Sequence, residues 1–512
     1  MLTSHQNIAR MKKLTALALG VSLALGVSTP SISSPSINIT KISQYVEECG
    51  DEKSCSEIST YSSVAQRIYT TNAEENELRI LKVDANGALT DFAAIDLSGY
   101  GGGPNSVATY GNMVAVAIEA DIKQDIGSVV LFDLDGNPQK VITAGALPDM
   151  LTFTPDGKYL LVANEGEPND DYTVDPEGSV TVIDTATWTA TTADFSAFNK
   201  AKLKDVRVFG PNASVAQDLE PEYIAVSDDS TTAWISLQEN NAFAKLDIKS
   251  ATITDIYGLG YKKHTQRKNA FDASNKDDAI NIQTWPTKGM YQPDAIASFQ
   301  RGDATFILSA NEGDARDYDG YSEEVRVKDL VLDPKAFPNA KELQEERNLG
   351  RLKTTTAHGD TDGDTDGDGD HDEIYSYGAR SFSVWNANGQ LVYDSGADFE
   401  HFLAAYANQD VDAEPWVENR SDDKGPEPES ITTGELNDKV YAFIGLERAN
   451  GIFIYELSNP SRPKPAGYID IEALGEIGPE GLIFIKKSEN TGWLVVTSEI
   501  SNTVSLYEIS IP

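Results

Sequence analysis

The chain has 512 residues, of which 40% are hydrophobic and 9% aromatic, enough for a large core. Against 41 Lys and Arg stand 81 Asp and Glu, a formal net charge of −40 at pH 7. Such a surface excludes nucleic acid and anionic lipid as partners, because phosphate binding needs Lys and Arg, and it favours divalent cations.

The first segment reads as an export signal. "ARMKK" is a basic flank, "LTALALGVSLALGV" (14–27) is an apolar run too short to span a bilayer comfortably, and "STPSISSPS" supplies small residues for cleavage. Residues 1–35 are therefore assigned to the signal and 36–512 to the mature protein, expected in the periplasm or outside the cell. No later segment has spanning length, and the chain closes on "SLYEISIP" without an anchor. Cys49 and Cys55 follow in "CGDEKSC". An even count in an exported chain suggests one short disulfide; a metal pair or two free thiols are the alternatives.

From there a pattern recurs: Pro, an acid or amide, two strands and a Glu. It reads "PNSVATY…AIEA", "PDMLTFT…ANEG", "PEYIAVS…LQEN", "PDAIASF…ANEG", "PESITTG…GLER" and "PEGLIFI…TSEI". The first members are Asn105, Asp149, Glu222, Asp294, Glu429 and Glu480. The closing glutamates, Glu119, Glu165, Glu239, Glu312, Glu447 and Glu499, come 14 to 19 residues later. "SEISTY…TNAEEN" is a seventh copy, with Glu57 at the acid position and Glu75 closing. An alternating third strand follows each unit, as in "GSVVLFDLD" and "GIFIYELS". Seven units of three or four strands predict an all-β, seven-bladed β-propeller forming a single domain over 36–512. The last unit lacks a fourth strand, and "SINITKIS" (36–43) can supply it and close the ring.

Antiparallel return places each acid position beside a closing Glu on one face of the disc. Glu57, Asn105, Asp149, Glu222, Asp294, Glu429 and Glu480 are thus expected around the channel mouth. So many carboxylates repel one another, so they are protonated, paired with Lys or Arg, or clustered about a divalent cation. Turn chemistry at the strand starts is the plainer alternative. Insertions at about 256–288, 311–378 and 398–425 interrupt the repeat, the last opening on a short helix capped by Asp398.

Within the second insertion, "GDTDGDTDGDGDHDEIY" carries eight acids between Asp360 and Glu373. From Asp362 it fits D-x-D-x-D-G-x5-E in full. Asp362, Asp364 and Asp366 offer side-chain oxygens, Gly367 the sharp turn, Asp368 its carbonyl, Asp370 a water-mediated contact and Glu373 a bidentate clamp. All-oxygen ligation selects Ca²⁺, here expected to order the insertion; an unliganded acidic tract is the alternative. A strand follows, so the paired helices of an EF-hand are absent. His264, His358, His371 and His401 lack zinc spacing, and no serine or cysteine nucleophile motif occurs. Catalysis, if any, would rest on carboxylates and a cation.

"VANEGEPNDDYTVDPEGSV", "SANEGDARDY", "HGDTDGDTDGDGDHDEIYSYGARSFSVW", "RSDDKGPEPESI", "GLERANGIFIYELSNP" and "GPEGLIFI" resemble the choice-of-anchor I family, exported bacterial β-propellers related to the mesenchyme-specific cell-surface glycoprotein group. The resemblance spans about 38–510. It implies surface attachment in members that carry an anchor, and an alkaline-phosphatase label in some relatives, without catalytic residues to carry over. A looser similarity to gluconolactonase-like and paraoxonase-like propellers implies calcium over the channel, held by oxygens at inner strand starts. The sequence thus points to an exported, calcium-binding propeller that engages a small-molecule or surface partner through its acidic face. The alternative is a metal-dependent phosphoesterase or lactonase with a second divalent cation at the mouth, where Arg316 and Arg448 would meet an anionic substrate.

Overall fold

A computed structural model describes residues 37–49, 55–361, 369–407 and 416–511. The signal segment and Asp362, Asp364, Asp366 and Asp368 lie outside the described residues. The described chain is built mainly on seven four-stranded antiparallel sheets. Their innermost strands are Ser59–Ser62, Gly103–Tyr110, Pro148–Phe153, Pro221–Val226, Ile296–Arg301, Pro428–Leu436 and Pro479–Lys486. Each packs against the next, and the last returns to the first.

The middle strands explain the arrangement. Met113–Glu119 (MVAVAIE), Thr232–Leu237 (TAWISL) and Thr491–Ser498 (TGWLVVTS) are buried almost throughout, because both faces of each sheet meet a neighbour. The outermost strands, such as Thr189–Asp194 (TATTAD), are polar and exposed. Each junction between adjacent sheets has its own apolar cluster. Leu161, Val180 and Val182 of the third sheet meet Ile224, Ile235 and Leu246 of the fourth. At the seam, Ile68 and Leu81 of the first meet Trp493, Val495 and Leu506 of the seventh.

The ring closes as the repeat requires. Asn38–Val46 pairs antiparallel with Thr503–Ser510 and becomes the outer strand of the seventh sheet. Cys49 and Cys55 then form a disulfide, with Cα atoms 6.5 Å apart. No helix among the described residues is long and apolar enough to cross a membrane.

The insertions depart from the sequence reading. The first two are not separate loops: they share a five-stranded sheet ordered Tyr261–Lys263, Thr287–Met290, Ile374–Ser376, Lys353–Thr355, Glu324–Arg326. Phe271, Trp285, Val327, Leu330, Leu349 and Leu352 fill a core beneath it. Apolar burial therefore orders much of this segment by itself. In the third, the helix spans Asp398–Ala407, so Asp398 lies in the first turn, and its carboxylate accepts the Tyr455 hydroxyl at 3.2 Å.

Candidate functional site at the channel mouth

Five of the six Pro-acid or Pro-Asn dipeptides sit at β-bulges, while Pro293-Asp294 precedes its regular strand, Ile296–Arg301. Pairing of the innermost strand with its neighbour jumps from Pro104 to Ser106, Pro148 to Leu151, Pro221 to Ile224, Pro428 to Ile431 and Pro479 to Gly481. The skipped residues include Asn105, Asp149, Glu222, Glu429 and Glu480. A bulge frees a residue from the ladder and re-aims its side chain, and proline is tolerated there because it has no N–H to lose. Contacts across the blades fix the result. The Asn105 amide donates to the Pro148 carbonyl at 3.2 Å, and Ala295 N–H to the Glu429 carbonyl at 3.3 Å.

Glu57, Asn105, Asp149, Asp294 and Glu480 line one cavity of about 190 Å³, together with Tyr223, Ser106 and Ser430. Its lining contains no Lys or Arg. Glu222 and Glu429 stand beside it, each with a carboxylate oxygen that is buried and makes no hydrogen bond. Burial, reinforced by neighbouring carboxylates, pushes Glu57 and Glu480 up to about 8 and Asp149 up to about 7. The same causes raise Glu222, Asp294 and Glu429 well above the usual range.

The closing glutamates form the outer ring. Glu239 and Glu447 are buried, and burial raises each to about 7. Glu312 accepts the Gln238 amide at 2.9 Å and meets Lys424 Nζ at 2.5 Å. Two groups bring carboxylate oxygens within 4.8 Å of one another: Asp294, Glu312 and Glu429, and Glu312, Glu427 and Glu447. The first joins two inner positions to one closing Glu and offers only hard oxygen donors, a set suited to Ca²⁺.

One expectation needs correction. Arg316 is fully buried and holds Asp218 Oδ1 at 3.0 Å and Glu220 Oε2 at 3.0 Å, so it is not available to an anionic substrate. Arg448 pairs with Glu447 at 2.9 Å. From the predicted calcium loop, Asp370 groups with Asp333 and Asp372 within 4.8 Å. Glu373 meets Lys288 at 2.5 Å and accepts the Tyr375 hydroxyl. Asp333 escaped the sequence reading because it lies far from the motif in the chain; its N–H donates to the His371 carbonyl at 3.0 Å. Buried Arg207, paired with Glu323, carried no motif either.

Residues 57–460 match the choice-of-anchor I domain, most of the chain. The chain belongs to the choice-of-anchor I family. Among curated relatives, Gigasin-3a of Magallana gigas is 35% identical over 126 residues, 23% of this chain and 43% of that protein. The mesenchyme-specific cell surface glycoprotein of Strongylocentrotus purpuratus is 26% identical over 339 residues, 59% of this chain and 41% of that protein. The chain thus spans under half the length of either. Among solved structures, Kuenenia stuttgartiensis hydrazine synthase has a TM-score of 0.47 at 12% identity, covering 90% of this chain and 97% of its own. The WD40 domain of Toxoplasma gondii coronin has a TM-score of 0.44 at 10% identity, covering 93% and 89%.

Proposed function

We propose that this choice-of-anchor I protein is an exported, seven-bladed β-propeller that binds divalent cations and uses them to engage a ligand or surface partner through its acidic face. One observation carries the reading. Bulged or adjoining strand starts from five different sheets converge Glu57, Asn105, Asp149, Asp294 and Glu480 on one cavity free of basic residues. Turn chemistry alone does not require that convergence. Calcium at the mouth would draw on Asp294 and Glu429, relieving their repulsion, and would share Glu312 with Lys424. A second calcium would belong to the acidic loop that runs from Asp362 to Glu373. The mesenchyme-specific cell surface glycoprotein supports a place outside the cell.

The test is calcium stoichiometry by elemental analysis, with melting in calcium and in chelator. Two ions per chain are expected, one lost in Asp362→Ala with Glu373→Ala and the other in Asp294→Asn with Glu429→Gln. Absence of bound calcium, with melting unchanged by chelator, would sink the reading. A hydrolase reading draws on the size of the same cavity, about 190 Å³. That leaves room beside a cation for a substrate group, where a water occupies about 30 Å³. Turnover of a phosphate monoester or lactone, abolished in the Asp294→Asn, Glu429→Gln variant, would establish it.

A further inference from the structure

A cavity larger than the one at the channel mouth lies elsewhere on the molecule. A cleft of about 820 Å³ opens at the rim, between the first insertion and the outer strand of the fifth sheet. Pockets for small organic ligands run about 300–1,000 Å³. One wall carries Arg267, Lys268 and Thr284; the floor and far wall carry Tyr393, Ser395 and His401.

The wall contributed by the first insertion is basic, and Asp394 and Asp398 lie opposite it. The segment "YKKHTQRK" (261–268) holds four Lys and Arg, and no acid occurs between Asp255 and Asp272. Lys262 is spent internally: its ammonium is buried, pairs with Asp394 at 3.1 Å and donates to the carbonyls of Ala379 and Gly396, each at 2.7 Å. That pairing also neutralises Asp394 where it reaches the cleft. Asp398 is held by the Tyr455 hydroxyl. Lys263, Arg267 and Lys268 are exposed, and among the described residues none of them forms an ion pair. Of these, Arg267 and Lys268 line the cleft, so two cations with no described carboxylate partner face its opening.

We propose that this rim cleft binds an anionic saccharide, with Arg267 and Lys268 contacting its sulfate or carboxylate groups and the half-buried Tyr393 and exposed Thr284 facing its ring and hydroxyls. Arg matches oxyanions with two parallel donors, and Lys adds a mobile point charge. The exposed part of Tyr393 and the Thr284 hydroxyl suit a polyol. A long polyanion such as nucleic acid is disfavoured by repulsion from the remaining surface, whereas a short ligand is screened from it over about 8–10 Å in physiological salt.

The experiment is calorimetric titration of the intact mature protein with three tetrasaccharides, one sulfated, one carboxylated and one neutral, each with and without chelator. At least one anionic sugar should bind with a dissociation constant below about 1 mM, weaken as salt rises, and exceed the neutral one at least tenfold. Arg267→Ala with Lys268→Ala, both exposed, should lower the affinity at least tenfold, and Thr284→Glu should do so by repulsion. Asp294→Asn should leave it unchanged, which separates this site from the channel mouth. Equal binding of the neutral sugar, retention in both cleft variants, loss with chelator, or no binding by any sugar would each overturn the proposal.

Discussion

Arg316→Met tests whether buried charge pairing pins the long insertion to the ring. The wild-type guanidinium meets Asp218 Oδ1 at 3.0 Å, the Asp218 carbonyl at 2.7 Å and Glu220 Oε2 at 3.0 Å, and lies 4.6 Å from the Phe209 ring centre. Asp218 and Glu220 are each only 1% exposed. Methionine fills much of the same volume, so little cavity is created, but two carboxyl groups lose their counter-charge. Breaking a buried pair from one side costs about 3–5 kcal/mol. Burial already raises Glu220 well above the usual carboxylate range, and Arg316 is what opposes it. In the variant Glu220 takes up a proton more readily, so its share of the loss is present at pH 8 and shrinks as pH falls toward 5. Urea unfolding followed by fluorescence and circular dichroism gives the difference, provided both probes coincide. Adding Asp218→Asn and Glu220→Gln to Arg316→Met should restore most of the stability, since no charge is then stranded. A loss under about 1 kcal/mol, or a triple variant no better than the single one, would refute the argument.

His264 is buried with Nδ1 2.7 Å from the Asn269 carbonyl, and burial pushes it down to about 3. Its imidazole stays neutral in the fold while the unfolded chain protonates near 6.5, so stability falls from pH 6.5 toward 3 by up to about 1.4 kcal/mol per unit; His264→Asn should flatten that slope in urea titrations at several pH values. Reducing the Cys49–Cys55 disulfide, which joins residues six apart, should cost about 2 kcal/mol, read as a lower melting temperature in reductant without loss of the fold. Deleting residues 37–46 should bare the Thr503–Ser510 edge and yield oligomers by light scattering; a monomer with unchanged melting would contradict ring closure by this strand.

The ring was legible because each blade repeats the same short grammar. Glu119, Glu165, Glu239, Glu312, Glu447 and Glu499 end their strands at near-constant distance from a Pro-acid pair, and the lone strand before Cys49 had one vacant edge to fill. The bulges were not legible: Pro148-Asp149 has the same composition in a turn as in a bulge, and only the jump from Pro148 to Leu151 tells them apart. The charge network was hidden by distance. Arg207 and Glu323 are 116 residues apart, and Arg316 and Glu220 are 96 apart. The core of the insertions was hidden by irregularity, since Val327, Leu330, Leu332, Phe337, Leu343 and Leu349 follow neither the helix nor the strand period.

Repetition also explains why the channel mouth needs an answer that no single blade does. One bulged acid at a strand start is harmless, because water reaches it from the open side. A closed ring places the inner positions against one another, and burial and mutual repulsion then act together on Glu57, Asp149, Asp294, Glu429 and Glu480. At one corner the chain supplies its own counter-ion: Lys424 reaches Glu312 at 2.5 Å and Glu427 at 3.6 Å. The cavity at the centre has no such residue in its lining. Lys123 and Lys424 act on Asp149 and Asp294 from outside the lining, and protons or an outside cation would supply the rest. A cation with several oxygen ligands would bind acids from different sheets at once, as Lys424 does at the corner, and would couple closure of the ring to the ion it holds.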